Sequence, residues 1–132
     1  MLKQVAIKIM ARLTKRQVSR WASKPVETQK KQLNYLIKKA LRTSFGQKHN
    51  FTRINNYNDF KNHVPVRDYE DLREYFEQIK EGTKNVLWPG KPLYLAVTSG
   101  TTSGSKYIPI TKQSLPNHLN GAKTAQIGRA HV

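Results

Sequence analysis

Cysteine is absent from this chain, which excludes disulfides and thiolate metal sites and is compatible with a reducing compartment. Long apolar runs are absent too. Nothing approaches the roughly 20 residues of a transmembrane helix. The opening MLKQVAIKIMARL alternates charged with apolar residues, unlike the unbroken core and small-residue cleavage site of a signal peptide. The expected location is the cytoplasm. Acids are scarce where bases abound: residues 1–50 hold thirteen Lys or Arg against Glu27 alone, a balance of +12, and residues 51–132 hold eleven against seven, +4. Such a surplus raises nucleic acid or an acidic membrane surface as a partner. Aromatic residues make up only 9% of the chain and few stand among the bases. No helix-turn-helix, zinc-finger or RNA-recognition pattern is present. Solvated basic helices are the expectation, and no nucleic-acid partner. The four histidines, His49, His63, His118 and His131, lack metal-ligand spacing, so no metal site is assigned. At 132 residues the chain is one domain's worth, and 37% hydrophobic content is low for a self-sufficient core.

The N-terminal half carries helical periodicity. Leu2, Val5, Ile9, Leu13 and Trp21 recur at mostly helical spacing over residues 2–22, a stripe expected to pack against the rest of the protein. Pro25 suits the first position of a second helix. There Leu33, Leu36, Ile37, Ala40 and Leu41 fall at i, i+3, i+4, i+7 and i+8, and Gly46 is the expected stop. Residues 47–67 are polar and broken, with Asn58 or Asp59 as the expected cap of a short turn around Phe60. Asp68 heads a helix to Lys80 with Tyr69, Leu72, Phe76 and Ile79 on one side, and Gly82 ends it. Glu70, Glu74, Glu77 and Glu81 share another face with Arg73 and Lys80 between them, which reads as a solvated charged face. Val86–Gly90 reads as an extended run closed by a turn.

Between two strand-like runs, Leu93–Val97 and Tyr107–Thr111, lies Thr98–Lys106, TSGTTSGSK. Every residue of it is a hydroxyl carrier, a glycine or a lysine. The composition is also that of a solvated linker, but a linker would drift into polar sequence on both sides, and this stretch is tightly flanked. Gly100 and Gly104 permit positive φ and close backbone approach, so successive N–H groups can face an anion. Thr98, Ser99, Thr101, Thr102, Ser103 and Ser105 add donors without bulk. Lys106 adds one compact positive charge. A polyphosphate is the ligand that suits this set. The spacing is not that of a P-loop: Gly100 to Gly104 is one residue short, Ser105 separates the second glycine from Lys106, and Tyr107 replaces the magnesium-binding hydroxyl. After Thr111, a capping residue, a further helix is expected from about Lys112, with Pro116 in its first turn.

With these motifs in order, the chain resembles the auxin-responsive acyl acid–amido synthetase family of the acyl-adenylate-forming superfamily. The matching residues are Phe45-Gly46, then Asn50, Phe51 and Ile54, then Tyr57, Asp59 and Phe60. They continue with Val64-Pro65-Val66, Tyr69-Glu70-Asp71-Leu72, Val86-Leu87-Trp88-Pro89-Gly90 and Thr98–Pro109. The Gly-Thr-Thr-Ser-Gly run also resembles the phosphate loop of acyl-CoA ligases.

The resemblance implies an ATP-dependent ligase that adenylates a carboxylic acid and passes the acyl group to an amine such as an amino acid. It implies that Thr98, Ser99, Gly100, Thr101, Thr102, Ser103, Gly104 and Ser105 hold ATP, with Lys106 catalytic. One lysine near a phosphate contributes about 4 kcal/mol at 4 Å and an effective dielectric near 20, too little for a triphosphate, so Mg²⁺ is expected beside ATP. The expected fold class is α/β: N-terminal helices, then a strand–phosphate loop–strand unit, as an incomplete piece of the large N-terminal domain of an adenylate-forming enzyme. Residues 1–126 would form that piece, with a basic helical lead-in (1–46), a polar segment with the acidic-faced helix (47–92), and the strand–loop–strand with its following helix (93–126). Residues 127–132, IGRAHV, depart from the family's continuing helix and are expected to be a non-natural tail. Such a truncated fragment is expected to be inactive by itself.

Overall fold

The computed structural model describes residues 2–98 and 104–129. Six helices and one antiparallel pair of strands follow in the order α1 (Leu2–Ala22), α2 (Pro25–Ala40), α3 (Ser44–Lys48), α4 (Tyr57–His63), α5 (Arg73–Lys80), β1 (Tyr94–Thr98), β2 (Lys106–Ile110) and α6 (Leu115–Arg129). Single 3-10 turns at Phe51–Arg53 and Glu70–Leu72 precede α4 and α5.

Pro25 opens α2 as expected, but the helix stops at Ala40, before Gly46. The cause is Thr43. Its backbone N–H and its hydroxyl both donate to the Ala40 carbonyl, at 3.0 and 2.7 Å, and so close the helix C-terminus. The same hydroxyl accepts from the Gly46 N–H at 3.0 Å and caps α3. Gly46 therefore sits inside a short helix instead of ending a long one. A β-carbon there would collide with the Ala40 carbonyl. Close approach, and not a left-handed turn, demands glycine at this position. On α2, Ile37 and Ala40 are buried, with Leu33 and, just past the helix end, Leu41 packed beside them, whereas Leu36 stays 41% exposed.

Two apolar clusters form the interior. Ile37, Ala40, Phe51 and Ile54 make the first, and Tyr75, Phe76, Ile79 and Val86 the second. Phe45 packs against both, with its ring 5.9 Å from Phe51 and 5.5 Å from Tyr75, near edge-on in each case. Val86 enters the second cluster because Asn85, at φ 58°, turns the chain there. The Asn85 and Val86 carbonyls accept from Ser44 and Phe45 N–H at 2.8 and 3.1 Å. The expected extended run at Val86–Gly90 is thus a loop, closed by Asn85 Oδ1 on the Gly90 N–H at 2.7 Å. His49 is buried and contacts the His63 carbonyl through Nδ1 at 2.9 Å, a structural role.

The α4 cap is Asn56, ahead of Asn58 and Asp59: its Oδ1 accepts from the Asp59 N–H at 3.0 Å, and the Asp59 carboxylate accepts from the Asn55 N–H at 2.9 Å. Asp68 does not head the next helix: it accepts from the Asp71 N–H at 2.9 Å, ahead of a 3-10 turn at Glu70–Leu72, and the α-helix starts at Arg73. On the acidic face, Glu70 takes a hydrogen bond from Arg73 at 2.7 Å and Glu77 one from Lys80 at 2.8 Å. The first helix departs most from expectation. Val5, Ile7, Ile9, Met10, Leu13 and Trp21 are each half exposed or more, so its apolar stripe is not packed.

Candidate functional site

The strands lie one residue later at β1 and one earlier at β2 than the strand-like runs suggest. They pair Tyr94 with Ile110 through Thr98 with Lys106. Both ends of the hydroxyl-rich stretch thereby come to one end of the ribbon, with Thr98 directly opposite Lys106. Ser99, Gly100, Thr101, Thr102 and Ser103 lie outside the described residues. Gly104 adopts φ +82°, with nothing within 4 Å of an added β-carbon, so a left-handed backbone alone calls for glycine here. Ser105 is exposed and Lys106 half buried.

Tyr69, from the turn ahead of α5, fixes this end of the ribbon. Its hydroxyl accepts the Tyr107 N–H at 2.9 Å, and its ring lies 5.5 Å beneath the Lys106 ammonium. The ring is itself stacked on buried Phe76, centroids 4.6 Å apart. A lysine over an aromatic face gains cation–π attraction and loses freedom. The Tyr107 ring is held in turn by Lys80, whose ammonium stands 4.6 Å from the ring centroid. The hydrogen bond from Lys80 to Glu77 holds the Lys80 pKa above its ordinary value, with Coulombic help from the same carboxylate. Tyr69, Tyr107 and Lys80 were not among the sequence-derived site residues. The only signal for them was the position of Tyr69 and Lys80 on one helical segment, which does not reveal a partner strand. Among the described residues, no group of three His, Cys, Asp or Glu side chains could hold a metal ion.

A family model described as the GH3 family N-terminal domain matches residues 14–131. The chain belongs to the GH3 family. Among its relatives are the indole-3-acetic acid-amido synthetase GH3.15 of Arabidopsis thaliana, 38% identical over 64 residues, and the probable indole-3-acetic acid-amido synthetase GH3.13 of Oryza sativa subsp. japonica, 41% identical over 58. The jasmonoyl–L-amino acid synthetase JAR6 of Nicotiana attenuata is 32% identical over 68. These alignments take in 47%, 42% and 50% of this chain but only 11–12% of each relative. No solved structure matches. The residues that carry the resemblance have legible structural work here: Phe51 and Ile54 fill the first cluster, Gly46 admits the Ala40 carbonyl, and Tyr69 anchors the ribbon. No helix among the described residues is long and apolar enough to cross a membrane.

Proposed function

We propose that this chain supplies the nucleotide-phosphate loop of an ATP-dependent acyl acid–amido synthetase. The carboxylate oxygen of an acid attacks the α-phosphorus of ATP, the bond to the β-phosphate oxygen breaks, and pyrophosphate leaves. The amine of an amino acid then attacks the acyl carbon of the acyl-adenylate, AMP departs, and the amine loses a proton as the amide forms. Thr98, Ser99, Gly100, Thr101, Thr102, Ser103, Gly104 and Ser105 line the triphosphate with backbone N–H groups and hydroxyls. Lys106 faces the negative charge that develops on the phosphates. Donors already in place when that charge appears stabilise the transition state without reorganising, and holding acid and ATP together removes much of the entropic barrier.

The observation that carries this reading is the pairing of Thr98 with Lys106 in a chain that belongs to the GH3 family. It puts the two ends of a side-chain-poor, donor-rich stretch beside one lysine braced on Tyr69. Mg²⁺ would accompany the triphosphate and neutralise part of its charge. The described residues offer it no ligand set, so no step is assigned to it.

In the complete synthetase carrying this segment, Lys106→Ala should lower acid-dependent ATP–pyrophosphate exchange by about 100-fold, the usual scale for a lost charge-stabilising donor. Unchanged exchange would remove Lys106 from the site. Products formed with amino acids, and not with coenzyme A, would distinguish amide synthesis from thioester synthesis.

A further inference from the structure

The family match begins at residue 14, so the first three turns of α1, from Leu2, lie ahead of it. There Val5, Ile9 and Leu13 recur every four residues on one helical face, which advances slowly around the axis. They are 56%, 51% and 59% exposed. Arg16 and Arg20, three and seven positions beyond Leu13, continue the same face, and Lys8 and Arg12 border it. None of these four cations makes an ion pair among the described residues. No acid occurs in the chain before Glu27, which sits beside Lys24. The inner side of α1 is differently engaged: Thr14, Val18 and Trp21 line a cleft of about 440 Å³ with Asn117, Asn120 and Gly121 of α6. On that side Thr14 and Val18 are half buried while Ile7, Met10 and Trp21 stay half exposed or more, and the side carrying Val5, Ile9 and Leu13 with the cations is left to solvent.

We propose that this outer side of α1 docks on an anionic lipid bilayer, the helix lying in the headgroup plane. Val5, Ile9 and Leu13 enter the acyl boundary. Lys8, Arg12, Arg16 and Arg20 reach lipid phosphates and carboxylates while their stems cover apolar surface. At 1.5 Å per residue, the 21-residue helix lies along about 31 Å of bilayer. The charge complementarity is one-sided and strong, as juxtamembrane basic segments require. A nucleic acid would satisfy the cations but leave three branched apolar side chains in water, which is why lipid is the better occupant. Three inserted side chains are a shallow anchor, so binding is reversible and depends on anionic lipid.

Cosedimentation of the whole chain with phosphatidylcholine vesicles, with and without phosphatidylserine, tests this. Partition should favour the anionic vesicles by more than about tenfold. Ile9→Ser/Leu13→Ser, which leaves the charge unchanged, should weaken it by about tenfold, and Arg12→Glu/Arg16→Glu should abolish it. All four side chains are exposed, so both variants should keep the wild-type circular dichroism and melting curve. Absence of partition would overturn the proposal. So would vesicle binding indifferent to Ile9→Ser/Leu13→Ser, or capture of single-stranded RNA at concentrations where vesicles bind nothing.

Discussion

Thr43 has no exposed surface and uses its single hydroxyl twice, donating to the Ala40 carbonyl and accepting from the Gly46 N–H. Gly46 is tied to the same carbonyl by sterics. Gly46→Ala should therefore destabilise the protein by more than about 2 kcal/mol, because relief requires moving backbone. Tyr75→Phe is the contrasting case. The Tyr75 hydroxyl is buried without a hydrogen-bond partner, and removing an unsatisfied buried polar group should leave stability within about 0.5 kcal/mol or raise it slightly. Denaturant midpoints of the two variants give the comparison. At this scale the sequence was legible where residue type carries its own geometry, as with Pro25 opening a helix. It was illegible where the reason lay across a turn. Gly46 looks like a helix stop by local rules, but the Thr43 cap starts a new helix through it, and the Ala40 carbonyl explains why the residue is glycine. Asn56 took the cap from its neighbours Asn58 and Asp59 for a similar reason: the reciprocal bond from Asp59 favours that frame.

Among the elements, the ribbon of β1 and β2 depends on one tyrosine. Tyr69→Phe keeps the ring beneath Lys106 and the stack on Phe76, but leaves the Tyr107 N–H without its acceptor. Losing one hydrogen bond of about 1 kcal/mol should raise the exchange rate of the Tyr107 amide by about fivefold. Helix α5 should exchange as before, which hydrogen exchange read by NMR would establish. Strand positions were readable to within one residue from alternation and β-branched content. Their exposure was not: Tyr94 and Val97 are 65% and 61% exposed. Alternation signals a strand and says nothing of which layer covers it. The phosphate-loop reading came from composition and family resemblance. The described geometry adds to it the Thr98–Lys106 pairing and the Tyr69 brace.

The whole molecule balances two small cores against a large positive charge. Phe45 belongs to both clusters, so the two should unfold together. The net charge is +16, most of it in the first fifty residues, and like charges in a compact state repel. Raising ionic strength from about 0.01 M to about 0.15 M shortens the screening length from about 30 Å to about 8 Å. The melting temperature should rise accordingly, by several degrees and without change of cooperativity. A melting temperature that falls would mean that the few ion pairs at Glu27, Glu70 and Glu77 outweigh the repulsion.

The two flanks of the ribbon are unequal in what they offer a newcomer. Tyr107 points its N–H away from β1, and Tyr69 has already taken it. Two residues on, Pro109 faces the same way and has no proton to give. The outer margin of β2 therefore offers a third strand no free N–H at these two positions. A further strand finds free N–H groups more readily at the opposite margin, along Leu95 and Val97.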